Sequence, residues 1–416
     1  MVFKQPRMVG TMNSCKCKQD CIACGNKNLI SVLDLGKQPL ANSFKKEKNA
    51  AEEYYPLAVN FCANCSHLQL THLVDADKLF KHYLYVSGTS KTQLDYFKWF
   101  VDMVSKKINR SSGKVLDIGC NDGSQLNYFK DAGFITYGVD PAANLHELSA
   151  KNHNVICDYF NNDSVIFDSN FDVIVCQNAF AHNYNQVQFL SKCKNIMNDS
   201  SLLFITISQA TMVQNSEFDT IYHEHYSYYT VKSMDAICKR SGLFLVDVVK
   251  HDIHGNSYIF VISKTNNRSA VVDDMIREEN LKGMSNILTY LKYANNAKKV
   301  AHKFKFVTDE MKKNGCILIG YGSPAKGNTM LNYSGAKLDF IVDDNPLKQG
   351  TFTPGSSIPV VSMSKLEEFS EHELVCFIPL AWNFFDEIYK KISTQRKNMF
   401  TLYMQYFPEF NVFAED

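Results

Sequence analysis

The sequence carries no surplus of charge of either sign: Lys and Arg number 44, Asp and Glu 43, and the formal net charge is +1. A chain that neutralises many phosphates needs a basic surplus, so a nucleic-acid partner is not expected. No apolar run is long enough to span a bilayer, and Met1–Gly10 lacks the apolar core of a secretion signal. Internal repeats and low-complexity segments are missing too. These absences predict a cytoplasmic protein with no membrane partner; a monomer or small homo-oligomer is expected, and the sequence does not fix which. What remains is the composition of a globular chain, 45% hydrophobic and 21% charged. Its 416 residues are too many for one ordinary core, which predicts two or three domains.

Thirteen cysteines in a chain without a secretion signal read as metal ligands before disulfides. Cys21 and Cys24 form one C-x-x-C pair, Cys62 and Cys65 a second. Two thiolate knuckles are what a tetrahedral four-cysteine zinc site needs. The long interval between them requires a small domain to fold around the metal. Cys15 and Cys17 are surplus, and His67 is an alternative ligand. A closed four-thiolate site leaves no open position for water, so the zinc is expected to be structural. Tyr54, Tyr55, Pro56 and Leu57 lead into the second pair without a Lys/Arg cluster, which again disfavours nucleic acid.

Next comes a hydroxyl-rich stretch from Tyr83 and Tyr85 through Ser87 and Thr89 to Thr92. It precedes a helical pattern over Gln93–Ile108, apolar at Leu94, Phe97, Phe100, Val101 and Val104. Hydroxyls in that position cap the helix first, although a helix N-terminus also receives anions. Lys114–Ser124 then reads as a buried strand, a glycine turn and a helix start. A second strand, Ile135–Val139, ends in Asp140, and further strands are read at Val155–Asp158, Phe171–Asn178, Ser201–Ile207 and Phe244–Val249. Strands alternating with helices predict an α/β sheet. An acid about twenty residues past a glycine turn is placed to hold a ribose diol. The turn is not G-x-G-x-x-G, which counts against a dinucleotide site.

The densest chemistry lies in Ile221–Thr230, with His223, Glu224, His225 and four tyrosines. On a strand, His223 and His225 share one face, while Tyr222, Glu224 and Tyr226 share the other. Imidazole suits general-base work at neutral pH, and a nearby carboxylate can orient it. The bland alternative is a hydrogen-bonding strand. A metal is disfavoured because His-Glu-His lacks the i, i+4 spacing of a helical ligand pair.

Beyond a polar linker at Lys264–Asp274 and a long helical pattern at Met275–Lys313, Gly315–Gly322 is another strand-to-glycine turn. The following strand, Leu338–Val342, ends in Asp343. This unit can cradle phosphate at Gly320–Asn328 and hold a ribose through Asp343. Lys326 beside the turn suits a diphosphate, and the glycine spacing is off the NAD pattern. A purely structural pseudo-repeat is the third alternative.

Asp117-x-Gly119-x-x-x-Gly123 resembles the first motif of class I S-adenosylmethionine-dependent methyltransferases. By that resemblance Asp117, Gly119, Asn121, Asp122 and Gly123 surround the methionine end, Asp140 holds the ribose and Asp158 lies near the adenine. With Tyr85–Ser90, Cys120–Gly123, Ala181-His182, Tyr222–His225 and Gly320–Asn328, the whole chain resembles the S-adenosylmethionine-dependent 3-C-methyltransferases of nucleotide-linked 4-keto-deoxysugars. The resemblance implies a zinc-binding domain over 1–82, a class I methyltransferase Rossmann-like domain over 83–262 and a second Rossmann-like α/β domain over 263–416. It implies His225 as the base at carbon 3, Tyr222 and Glu224 as holders of sugar hydroxyls or the enolate oxygen, and Ser87 and Thr89 beside the cofactor. His182, Tyr83, Tyr85, Asn178, Gly322, Ser323, Lys326, Asn328 and Asp343 are then expected around the nucleotide-linked keto-deoxysugar. Two places depart from the family pattern: the loop His254–Ser257 is poorer in glycine, and His182 is followed by Asn-Tyr-Asn. The competing readings are a sugar O-methyltransferase, an NAD-dependent sugar-nucleotide oxidoreductase and a non-catalytic zinc-bearing binding module.

Overall fold

The computed structural model describes residues 15–80, 86–208, 211–253, 255–370, 372–396 and 400–414. Tyr83, Tyr85 and His254 therefore lie outside the described residues, and only the backbone of Thr89 is described.

Alternation builds the N-terminal sheet. In the strand Tyr54–Cys62 every second side chain, Tyr55, Leu57, Val59 and Phe61, is buried. It pairs antiparallel with Leu29–Pro39 on one side and His67–Leu70 on the other. A fourth strand comes from far along the chain: Ser227 and Tyr228 pair with Gln69 and Leu68. The segment that carries His225 is thus stitched into the sheet of the zinc-binding domain.

The middle of the chain forms a seven-stranded sheet. Phe171–Gln177 and Gly113–Ile118 lie at its centre, followed outward by Phe134–Val139 and Asn154–Ile156. Leu116 sits between Ile174 and Tyr137 in parallel register. Val173, Ile174, Val175 and Cys176 are all fully buried, as expected for a parallel strand covered on both faces. Met197–Ile207, Ser257–Ser263 and Phe244–His251 complete the other edge, the last two antiparallel. The helix Lys91–Ile108 covers one face with Phe97, Phe100, Val101 and Val104 inward, and the Ser90 side chain caps it by accepting from the Gln93 amide.

A second seven-stranded sheet follows, parallel at its centre with antiparallel edge strands. The single helix expected over Met275–Lys313 is instead two, Ala270–Leu281 and Ile287–Lys313. Gly283 at φ +74° turns the chain between them, and the Asn286 side chain caps the second helix by accepting from the Leu288 amide. The first of these helices also takes up the end of the expected linker.

The N-terminal sheet and the C-terminal unit share one apolar core. Phe61 packs on Tyr290 with ring centroids 4.2 Å apart, in a cluster that also holds Leu57, Phe304, Leu318 and Leu380. A buried ion pair reinforces the contact: Lys45 Nζ lies 2.8 Å from Glu52 and donates to Ser357 Oγ at 2.8 Å, while Glu52 accepts from the Gly355 amide at 2.8 Å. Such a pair stabilises only because its remaining bonds are satisfied. Two ends of the chain are therefore packed as one body around the middle.

Candidate active site

The four knuckle cysteines converge. Cys21 and Cys65 sulfurs are 3.6 Å apart, Cys24 and Cys62 sulfurs 3.5 Å, and all four lie within 4.8 Å of one another. A tetrahedral site with zinc–sulfur bonds of about 2.3 Å needs sulfurs about 3.8 Å apart, so the set fits zinc. His67 is instead 3.0 Å from the Ser227 hydroxyl, and Cys15 and Cys17 lie on a short strand paired with His72–Val74. Arg240, from the helix Val231–Ser241, donates to the Ile22 and Ala23 carbonyls and so fixes the first knuckle to the middle domain.

Between the three units lies a cavity of about 1740 Å³, beyond the range of about 300–1,000 Å³ usual for one small ligand. Its wall includes Ser87, Asp117, Gly119, Asn121, Asp140, Asp158, Asn178, His182, Tyr222 and His225 from the middle of the chain and Lys326 from the C-terminal unit. Gly322, Ser323, Asn328, Asp343, Glu224, Asp122 and Gly123 stand off that wall.

The segment Tyr222–His225 is a turn, not the strand expected from its alternation. The His225 amide donates to the Tyr222 carbonyl at 3.0 Å, and strand pairing begins only at Ser227. The cause is a side-chain bond that competes with the ladder: His225 Nδ1 donates to the Thr220 carbonyl at 2.9 Å. As a result Tyr222 and His225, expected on opposite faces, meet. The Tyr222 hydroxyl is 2.7 Å from His225 Nε2, with ring centroids 4.0 Å apart. A carbonyl can only accept, so the proton sits on Nδ1, and Nε2 presents its lone pair to the tyrosine hydroxyl. Burial, then the neighbouring His182, holds His225 well below its ordinary range. This shift favours the neutral imidazole.

Rings continue on either side. His182 stacks on His225 at 5.2 Å, and Phe80, from the zinc-binding domain, stacks on His182 at 5.2 Å. Burial lowers His182 to about 4. His223 points away from the cavity toward the Tyr55 carbonyl, 3.3 Å distant. Glu224 accepts from Asn42 Nδ2 at 2.6 Å, and its other oxygen is buried without a protein hydrogen-bond partner. Burial raises Glu224 to about 7, partly offset by Asn42 and Lys348.

On the cofactor side, Gly119 adopts φ +83°, and a Cβ there would strike Ala179 at 2.6 Å. The Asn121 amide donates to Asp140 at 2.9 Å, and Asn121 and Asp122 side chains accept from the Ser87 and Gly88 amides, each at 2.9 Å. Asp117 is raised to about 8 by burial first and by Asp140 and Asp122 next. Asp158 is engaged with its own loop through Asn162 and Ser164. Around this wall, polar atoms of Gln93, Asp117, Gln125, Gln177 and Asn178 are buried with no hydrogen-bond partner in the protein. Such atoms call for a polar ligand. The donors and acceptors of S-adenosylmethionine match this mixed set: an ammonium or hydroxyl can donate to the oxygens of Gln93, Asp117 and Asn178, and a carboxylate can accept from Nε2 of Gln125 and Gln177.

On the opposite wall, Lys326 donates to Asn383 at 2.8 Å and lies 4.6 Å from the Trp382 ring centre. Lys348 faces the same space and donates to the Ser323 carbonyl at 3.0 Å. Asp343 is occupied within the protein: one oxygen accepts from the Ser323 amide and hydroxyl, the other from the Asn345 amide. Sequence reasoning missed Asn42, Phe80, Lys348 and Trp382, none of which stands in a recognisable spacing.

A glycine-turn parallel sheet with this strip of acids defines a class I S-adenosylmethionine-dependent methyltransferase. Three family models span most of the chain: a putative zinc binding domain over 21–80, a methyltransferase domain over 91–248 and a C-methyltransferase C-terminal domain over 252–405. The chain is 29% identical over 385 residues to the C-methyltransferase NovU of Streptomyces niveus, covering 89% of this chain and 91% of that one. It is 30% identical over 120 residues to a ubiquinone biosynthesis O-methyltransferase of Glaesserella parasuis serovar 5 (strain SH0165), covering 26% of this chain and 51% of that protein. A crystal structure of an S-adenosylmethionine-dependent methyltransferase from Clostridium acetobutylicum ATCC 824 overlays 41% of this chain and 91% of its own at 10% identity, with a TM-score of 0.35. The chain belongs to the S-adenosylmethionine-dependent C-methyltransferases built from a zinc-binding, a methyltransferase and a C-terminal domain.

Proposed function

We propose that this C-methyltransferase acts at carbon 3 of a nucleotide-linked 4-keto-deoxysugar, with His225 as the base. The observation that carries the proposal is the Tyr222–His225 couple on the wall of this large cavity: the Nδ1 bond to Thr220 leaves Nε2 as the basic nitrogen, and the Tyr222 hydroxyl lies 2.7 Å from it. Bound S-adenosylmethionine supplies a methyl made electrophilic by its sulfonium. Joining that methyl to carbon requires a carbon nucleophile, and a ketone acidifies the neighbouring carbon–hydrogen bond. His225 Nε2 takes that proton, and the Tyr222 hydroxyl, released from Nε2, is placed to donate to the developing enolate oxygen. Holding the two reacting centres near attack distance is worth on the order of 7–11 kcal/mol. Lys326 and Lys348 on the C-terminal wall suit the diphosphate of a nucleotide carrier. His182 and Asn178 line the same cavity and are assigned to the sugar ring in this reading.

The test is mass spectrometry of reactions with dTDP- and GDP-linked 4-keto-deoxysugars and S-adenosylmethionine, with carbon NMR of any product. The expected product gains one methylene mass, with the new methyl on carbon 3. A methyl found on oxygen, or no mass gain across the panel, refutes the assignment.

A further inference from the structure

The glycine turn of the C-terminal unit leads into the helix Ala325–Ser334, whose backbone lies so close to the second sheet that a Cβ on Gly327 would strike Leu380 at 2.7 Å. From this fixed helix two fully buried side chains reach out of the unit. Asn328 Nδ2 donates to the Ala41 carbonyl at 2.8 Å, and Thr329 Oγ1 donates to the Ile221 carbonyl at 3.1 Å. Ala41 precedes Asn42, which grips Glu224, and Ile221 precedes Tyr222. The next turn of the same unit adds a third tie, from Trp382 Nε1 to Asp219 at 2.8 Å. The reacting turn is thus held at residues 219, 221 and, through Asn42, 224.

We propose that Asn328 and Thr329 are positioning residues for the reacting turn, and that this glycine-turn motif serves to set the Tyr222–His225 couple in register. This deepens the reading of residues 222–225 as the reacting turn and rests on it. The bonds the turn makes within its own segment include the His225–Tyr222 backbone bond, the Tyr222–His225 side-chain bond and the His225–Thr220 bond. Its C-terminal side is fixed by the Tyr226–Ala181 bond and the pairing of Ser227 and Tyr228, and on its N-terminal side the helix Ala325–Ser334 touches both the zinc-domain loop and the residue before the turn.

The test compares Thr329→Val, which removes the hydroxyl at nearly constant volume, with Thr329→Ser, which keeps it. Both are studied in the zinc-loaded full chain. With a nucleotide-linked 4-keto-deoxysugar that the wild type turns over, Thr329→Val should lower kcat by about ten- to a hundredfold, the cost of small misplacements at a reacting centre. The KM values for both substrates should stay near wild type, and Thr329→Ser should restore kcat. A rise in acceptor KM at unchanged kcat overturns the proposal in favour of substrate binding. A lowered Tm with unchanged kcat overturns it in favour of a purely structural bond. A second readout needs no acceptor: nitrogen NMR of the S-adenosylmethionine-bound protein reports the His225 tautomer. The Nδ1–H form should persist in the wild type and Thr329→Ser and become averaged in Thr329→Val, and an unchanged signal contradicts the inference. His225→Ala run in parallel separates the two levels. Turnover surviving in that variant refutes the base assignment, whereas a dead His225→Ala beside a fully active Thr329→Val refutes only the positioning role.

Discussion

The molecule uses the same local plan twice, and the two copies do different work. Asp117–Gly123 and Gly320–Asn328 are each a strand, a glycine turn and a helix start, and each is followed by a strand ending in an acid, Asp140 or Asp343. In the first copy polar atoms are left over: Asp117 keeps a buried oxygen without a partner on the wall of the cavity. In the second copy Asp343 is closed on Ser323 and Asn345 off the cavity wall, and Asn328 Nδ2 and Thr329 Oγ1 are spent on neighbouring units; the Asn328 Oδ1 left over there is buried away from that wall. A nucleotide-type turn is therefore not by itself a ligand site. What decides is whether its donors and acceptors are still available after the chain has folded.

The largest expected effect lies outside both copies, at the turn Tyr222–His225. His225→Ala should lower turnover by about a hundred- to ten-thousandfold, the usual worth of a general base. Isothermal titration should find its affinity for S-adenosylmethionine unchanged, and a variant that loses that affinity places His225 with the cofactor instead. Next is Asp117→Asn, which removes a carboxylate whose ionised form would meet the cofactor's cationic end. Its Kd for S-adenosylmethionine should rise by about ten- to a hundredfold, the cost of one charge-assisted bond.

The pH dependence of that affinity sharpens the contrast. In the ligand-free protein Asp117 holds its proton up to about pH 8. A cationic ligand favours the carboxylate, so binding releases a proton below that pH. Affinity should therefore rise as pH increases toward 8, by at most about tenfold per unit, and level off above it. Asp117→Asn should flatten the profile, and a slope that survives the substitution assigns the proton elsewhere. The smallest effect is at the second copy. Asp343→Asn should change the Kd for S-adenosylmethionine by no more than about twofold, as expected of an independent site. A change as large as that of Asp117→Asn would erase the distinction between the copies.

How much of this was legible follows from the range of the interactions. The zinc ligands could be read because two residues in each knuckle fix the geometry locally. The central strands could be read because burial on both faces leaves unbroken apolar runs such as Val173–Cys176. The turn at Tyr222–His225 could not, since alternating residue types indicate a strand and only the Thr220 carbonyl overrides it. Asn42 and Thr329 were invisible for a different reason. Asn42 meets Glu224 across 182 residues of sequence and Thr329 meets Ile221 across 108, and neither residue type carries a signal until those segments are packed together. Asp343 was legible as an acid at a strand end, but its engagement with Ser323 is a fact of packing.

The most direct test of the base assignment separates proton removal from methyl transfer. The protein is incubated in deuterated water with S-adenosylhomocysteine, which lacks the methyl, and a nucleotide-linked 4-keto-deoxysugar, while proton NMR follows carbon 3. The account predicts loss of the carbon 3 proton signal with the wild type and its retention with His225→Ala. Exchange that proceeds equally in both would contradict it.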